Sequence, residues 1–230
     1  MSYNQINENA QAKLFIFWTG TNPMSPNRLK STQQMESVTG LPTILVTPEN
    51  LDEWILHDHP LHPAYEHLSL THKADYLRTY FMHHHGGAYA DVKLQTGSWV
   101  ESLDKLNADP NILAIGYNEV PGGMAVPELA SEWRVCIGNG AYICKPRTLF
   151  TQKWYNQMLI LLDSKLERLI LHPATDPRDQ RGIWLHSKQK HSEYPLEWNE
   201  MLGRIFHKVM YEYRSQILQG LPTPKFWDYQ

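Results

Sequence analysis

Two cysteines among 230 residues, Cys136 and Cys144, are too few for a disulfide framework. One precedes Gly-Asn-Gly and the other falls in an apparent strand, so both are expected as buried, unreactive thiols suited to a reducing compartment. No apolar run approaches the ~20 residues that a bilayer span needs, and the polar start, Met1 to Lys13, has no signal-peptide apolar core. The expectation is a soluble or cytoplasmic protein. A basic excess is also missing: the net charge is -3, which argues against nucleic acid as a general polyanionic partner. Internal repeats, low-complexity blocks and composition shifts are not found. The expectation is one α/β domain over 1–230, with residues 1–12 as a flexible tail.

Aromatics are plentiful, with eight tryptophans and twelve tyrosines. They stack on sugars and nucleobases, although filling a core is their commoner use. Lys13 to Trp18 is a nearly continuous apolar run, as in a strand covered on both faces. Ser25-Pro26 supplies an N-cap and a first-turn proline for a helix to about Val38, which Gly40-Leu-Pro42 stops. Thr43 to Val46 reads as the next strand. Further strands are expected at 88–92, 111–115 and 141–144, and helices at 69–85, 149–171 and 195–213. A short helix near 51–56, a loop over 121–132 and a mobile surface loop over 172–193 complete the expected layout.

Residues 71–97 hold most of the functional information. Asp75 and Arg78, three apart, share a helix face away from the Leu70, Ala74, Leu77, Phe81 stripe. Taken alone they read as an ordinary surface ion pair. The helix then meets Gly86-Gly87, a left-handed stop, and a short apolar strand delivers Asp91 to its end. A fixed carboxylate at the rim of a parallel sheet is where nucleotide and metal chemistry gathers in α/β proteins. Asp91 suits Mg²⁺ or Mn²⁺, and Lys93, expected on the same side of the strand, would contact phosphate or pair with Asp91. The histidines at 57, 59, 62, 67 and 83–85 lack ligand spacing and read as surface and loop residues. Glu200 and His207, seven apart, are expected on one helix face.

The run Lys73-Ala-Asp-Tyr-Leu-Arg78 followed by Gly86-Gly-Ala-Tyr-Ala-Asp91 resembles glycosyltransferases with a sugar-binding DXD region. The resemblance is strongest to the capsular-polysaccharide-synthesis-like, family 32-like branch. It extends to Phe17-Trp-Thr-Gly20, to Gly138 through Pro146 and to Tyr194 through His207. Similar compact domains occur in glycosyltransferases of large algal viruses. The resemblance implies a GT-A (Rossmann-like) fold: a central mixed, mostly parallel sheet with helices on both faces. It implies a UDP- or GDP-sugar donor and a glycan acceptor. Trp18, Thr19, Gly20 and Asp75 would hold the nucleoside, with Arg78 near the phosphates and Asp91 holding metal or donor sugar. His207 would complete an Mn²⁺ or Mg²⁺ site with Asp91. The second aspartate of DXD is replaced by Lys93.

An inverting reaction needs a base for the acceptor hydroxyl; Glu119 is the first candidate, with Glu128 and Glu132 behind it. Asn139, within Gly-Asn-Gly, lies where backbone can approach a sugar closely, although a plain tight turn is the more frequent meaning of that tripeptide. The reading is a glycosyltransferase transferring a hexose or deoxyhexose. Its rivals are a catalytically inactive nucleotide- or carbohydrate-binding domain on the same fold, and a histidine-rich metal hydrolase that lacks a ligand set.

Overall fold

The computed structural model describes residues 8–227, so residues 1–7 of the expected tail lie outside the described residues. A six-stranded sheet contains β1 (Leu14–Phe17), β2 (Thr43–Val46), β3 (Gly87–Ala90), β4 (Ala114–Asn118), β5 (Ile137–Cys144) and β8 (Ile217–Leu221). Its order is β2-β1-β3-β5-β4-β8; β6 (Trp184–Leu185) and β7 (Lys190–His191) form a separate hairpin. Pairs β1–β2, β1–β3 and β4–β8 are parallel, while β5 runs against both of its neighbours. This is the mixed, mostly parallel α/β sheet expected from the sequence.

Alternation along β1 assigns the two cores. Phe15 and Phe17 face a cluster shared with α2 (Leu70–His84), α4 (Leu149–Leu171) and α5 (Gly203–Glu212). Leu14 and Ile16 face the opposite cluster, shared with α1 (Pro26–Thr39) and α3 (Val100–Ala108). Both faces of the sheet are therefore covered, which is why β1 reads as an unbroken apolar run. The Ala10 backbone exchanges hydrogen bonds of 2.8 and 3.0 Å with the Asn107 side chain on α3, fixing the inner end of the tail.

Gly86 and Gly87 make the turn from α2 into β3 at φ 63° and 89°. The Gly86 N–H reaches back to the Phe81 carbonyl at 2.9 Å. A side chain on Gly87 would approach the Lys13 carbonyl to 2.9 Å, so backbone contact reinforces the left-handed requirement there.

Several boundaries differ from expectation. β4 starts at Ala114, because Asp109 caps a turn by accepting from the Asn111 N–H at 2.9 Å. Gly138-Asn139-Gly140 is strand, not turn: a side chain on Gly138 would overlap the Tyr117 ring, so β5 requires glycine for packing. α5 begins at Gly203, since Glu200 folds back to accept the Glu197 N–H at 2.9 Å and pairs with Lys165 at 2.9 Å. Glu200 and His207 therefore do not share a helix face. The stretch expected as a mobile loop holds the β6–β7 hairpin and is fastened to α2 by Thr71 N–H donating to Pro177 O at 3.3 Å. Cys136, just before β5, and Cys144, at its end, are buried and free, roughly 25 Å apart at strand rise, far beyond disulfide reach.

Candidate functional site

The parallel strands β1 and β3 end at the same edge of the sheet, and each hands the chain to a loop with a special side chain. After β1 come Trp18, Thr19 and Gly20. The Thr19 hydroxyl donates to Leu70 O at 2.7 Å and the Trp18 indole N–H to Asn22 O at 2.7 Å, so the loop is tied to the start of α2. Asp91 stands one residue past β3, where its N–H still donates to Gly140 O at 2.8 Å. A tight turn, with Lys93 N–H 2.6 Å from Asp91 O, rather than strand alternation, brings Lys93 beside Asp91. α2 starts beside this edge and runs between the sheet and α4, and so is buried on most of its circumference.

That burial overturns the surface reading of Asp75 and Arg78, which are 4% and 7% exposed. The Arg78 guanidinium lies 3.1 Å from Asp75 and 3.5 Å from Asp91, donates to the Asn139 carbonyl at 3.0 Å and rests 4.6 Å above the Tyr89 ring. Asp91 also accepts from the Tyr89 hydroxyl at 2.6 Å and the Lys93 ammonium at 2.8 Å. Asp75, Arg78, Asp91 and Lys93 thus form a chain of alternating charge. Burial alone would raise the Asp91 pKa, but Lys93, Arg78 and the two hydrogen bonds outweigh it and hold it at about 2. Asp75 sits deeper; burial pushes its pKa up despite Arg78.

Removing the shared cation should expose this dependence. Arg78→Met strands a buried carboxylate at Asp75 and is expected to lower stability by about 3–5 kcal/mol in urea unfolding at neutral pH. The loss should shrink as the pH falls and Asp75 takes up a proton.

Around the tetrad opens a cavity of about 580 Å³, within the range of small-molecule sites. Trp18, Thr19, Gly20, Asp75, Arg78, Asp91, Lys93 and Asn139 all line it, so eight of the ten candidate residues are brought together. Arg28 and Arg178, which the sequence reading missed, add their charges to those of Arg78 and Lys93. Four cations against two carboxylates give a locally positive cavity in a chain of net charge -3. Each newly found arginine lies over a tryptophan, Arg28 on Trp18 at 5.7 Å and Arg178 on Trp198 at 5.3 Å. Leu202 and Gly203, where α5 begins, also line the cavity, and Gly203 is needed there because a side chain would meet Ala125 at 2.6 Å.

Glu119 and His207 are not part of this lining. They are buried against each other, with the His207 Nε2 to Glu119 Oε2 distance 3.0 Å. His207 Nδ1 accepts the Ala125 N–H at 3.0 Å, which leaves the ring proton on Nε2 to donate to Glu119. The other Glu119 oxygen accepts the Val120 N–H at 2.8 Å. The pair fastens the loop after β4 to α5. The acceptor base expected at Glu119 and the metal ligand expected at His207 thus lie outside the cavity lining, hydrogen-bonded to each other.

A divalent cation implied by the DXD resemblance does not fit these residues. An ammonium 2.8 Å from Asp91 Oδ2 stands where the ion would need oxygen ligands at ~2.0–2.6 Å, and the other oxygen is taken by Tyr89 and faces Arg78. Among the described residues no group of three or more His, Cys, Asp or Glu is arranged to hold a metal. The histidine segment fails for the same reason, and His84 is not a surface residue: buried against Tyr80 and Tyr155, it is lowered to about 3, by burial first and then by His83 and its neighbours.

The fold and site together define a mixed-sheet α/β protein with a cationic, aromatic-flanked cavity at the carboxyl edge of its parallel strands. No family model matches the chain, and no curated protein matches it. Among solved structures it is similar to PaToxG glycosyltransferase, with a TM-score of 0.49, 10% identity, and coverage of 89% of this chain and 70% of that one. No helix of the described residues is long and apolar enough to cross a membrane.

Proposed function

We propose that the protein is a GT-A glycosyltransferase, acting as one domain, that moves a hexosyl or deoxyhexosyl group from a UDP- or GDP-sugar to a glycan hydroxyl. One observation carries this reading: Arg28, Arg78, Lys93 and Arg178 converge on a cavity that also holds a fixed carboxylate and an indole. That is the chemistry of a diphosphate flanked by a sugar and a base. Trp18 offers its face to the nucleobase beside Thr19 and Gly20. The arginines and Lys93 take the diphosphate, Arg78 held in aim by Asp75 and by the Asn139 carbonyl. Asp91, with its side chain 24% exposed, presents its remaining acceptor capacity to the sugar.

In the transfer the acceptor oxygen bonds to the anomeric carbon as the bond from that carbon to the diphosphate oxygen breaks. The electron pair leaves with the diphosphate, whose growing charge the preorganised cations stabilise. With Glu119 sequestered, the acceptor proton passes to an oxygen of the departing diphosphate. Glu119→Gln is accordingly expected to keep kcat within ~10-fold, whereas loss of a true general base costs ~10²–10⁴-fold.

Calorimetric titration with UDP and GDP, followed by donor hydrolysis across UDP- and GDP-hexoses, tests the reading. Micromolar nucleotide binding with turnover is expected. Binding without turnover of any donor would favour the inactive binding domain, and no nucleotide binding at millimolar concentration would overturn both.

A further inference from the structure

A second recess, about 760 Å³, adjoins the first and shares Arg178 and Trp198 as a common wall. Its opposite side is the β6–β7 hairpin, which carries Trp184. Two indoles of unusual exposure, Trp184 at 44% and Trp198 at 36%, therefore flank one groove. Between them lie Asp176, Gln180, His186 and Ser187.

Trp184 is held in place by a well-anchored hairpin. Its cross-strand partner His191 packs on it at a ring separation of 5.0 Å and an angle of 75°. Leu185 beside it is buried, the Ser192 N–H donates to Ile183 O at 2.8 Å, and the Arg181 N–H to Leu196 O at 2.7 Å. A large rigid aromatic kept partly in water forgoes the hydrophobic stabilisation that full burial would give.

We infer that this groove is a carbohydrate-binding site and receives the acceptor as a neutral sugar chain, one ring lying on Trp184 and the chain end turned past Arg178 and Trp198 toward the donor. As an acceptor site it rests on the function proposed above; as a carbohydrate site it rests on its own lining. Pyranose rings present an apolar C–H face and a rim of hydroxyls. Separated indoles with amide, hydroxyl, carboxylate and imidazole groups between them match both parts. A protein partner would call for continuous apolar surface, which the polar groups interrupt. A nucleic acid would call for a basic stripe, whereas Arg178 is offset here by Asp176.

The test follows the tryptophan indole N–H signals of ¹⁵N-labelled full-length protein during titration with maltotriose, cellotriose, mannotriose and chitotriose, with and without UDP. At least one trisaccharide is expected to shift the Trp184 and Trp198 signals. Trp184→Ala should weaken that binding ~10-fold or more, Trp184→Phe within ~3-fold, and UDP affinity should hold within ~2-fold in both. Because Trp184 is exposed, neither change should disturb folding, and unaltered UDP binding checks this. If UDP binds but none of the four sugars moves Trp184, or if Trp184→Ala leaves sugar affinity unchanged, the inference fails. If a sugar moves Trp184 but no nucleotide binds, the carbohydrate site stands and the transferase reading falls.

Discussion

Asp91→Asn is expected to lower kcat/KM for sugar transfer by ~10²–10³-fold while the protein stays folded. The side chain is the common anchor of Arg78 and Lys93, 3.5 and 2.8 Å away, so neutralising it frees two cations from their fixed aim and removes an acceptor facing the sugar. Geometry survives better than charge, because an asparagine oxygen still accepts from Tyr89. The change also has a stability signature with a definite sign. The folded-state pKa of about 2 lies below the ordinary 3.8, so Asp91's contribution is complete above 3.8 and disappears as the pH falls through 2. The gap between wild type and Asp91→Asn should be about 2 kcal/mol at neutral pH and close toward pH 2 in urea titrations. A variant that transfers sugar within ~3-fold of wild type would remove Asp91 from the machinery.

The elements that were legible in the sequence are those whose signals are local. Ser25-Pro26, the double glycine and the four-residue run of β1 each declare themselves within a few positions. α3 and β8 carry weaker signals: α3 has only Leu103 and Leu106 fully committed to the core, and β8 is interrupted by the exposed Gln219 and Gly220. β8 exists because β4 offers it an edge, and that pairing spans about a hundred residues and cannot be read from a window.

The site divides in the same way. Asp75, Arg78, Asp91 and Lys93 fall within one short stretch, and a single helix–turn–strand brings them together. Arg28 and Arg178 arrive from α1 and from the loop after α4, with nothing in their neighbours to distinguish them from surface arginines. The distance between expectation and placement at Glu119 and His207 has a physical cause. A carboxylate after a strand and a histidine on a late helix look alike whether they face a cavity or each other, and only tertiary packing reveals that these two are partners.

The sharpest consequence concerns Lys93, where the DXD pattern has a cation in place of its second carboxylate. With its ammonium 2.8 Å from Asp91, the protein carries its own counter-charge at the position where a divalent ion would act. Chelation with EDTA is therefore expected to leave transfer by the wild-type protein within ~2-fold, whereas Lys93→Ala should cost ~10²-fold or more, the scale of one lost charge stabiliser. Lys93→Asp should do something that a merely damaging substitution does not. Two carboxylates two positions apart, in place of a carboxylate and its ammonium, repel each other unless an ion joins them. That variant should bind Mn²⁺ measurably by calorimetry, lose transfer ~10²-fold or more in EDTA, and regain part of it on adding millimolar Mn²⁺. Loss of wild-type transfer in EDTA with recovery in Mn²⁺ would mean that Lys93 swings aside for an ion and is no substitute for one. Only in the first case does wild type clearly outrank Lys93→Asp without metal, whereas in the second both fall together, so one chelation series on both proteins decides between them.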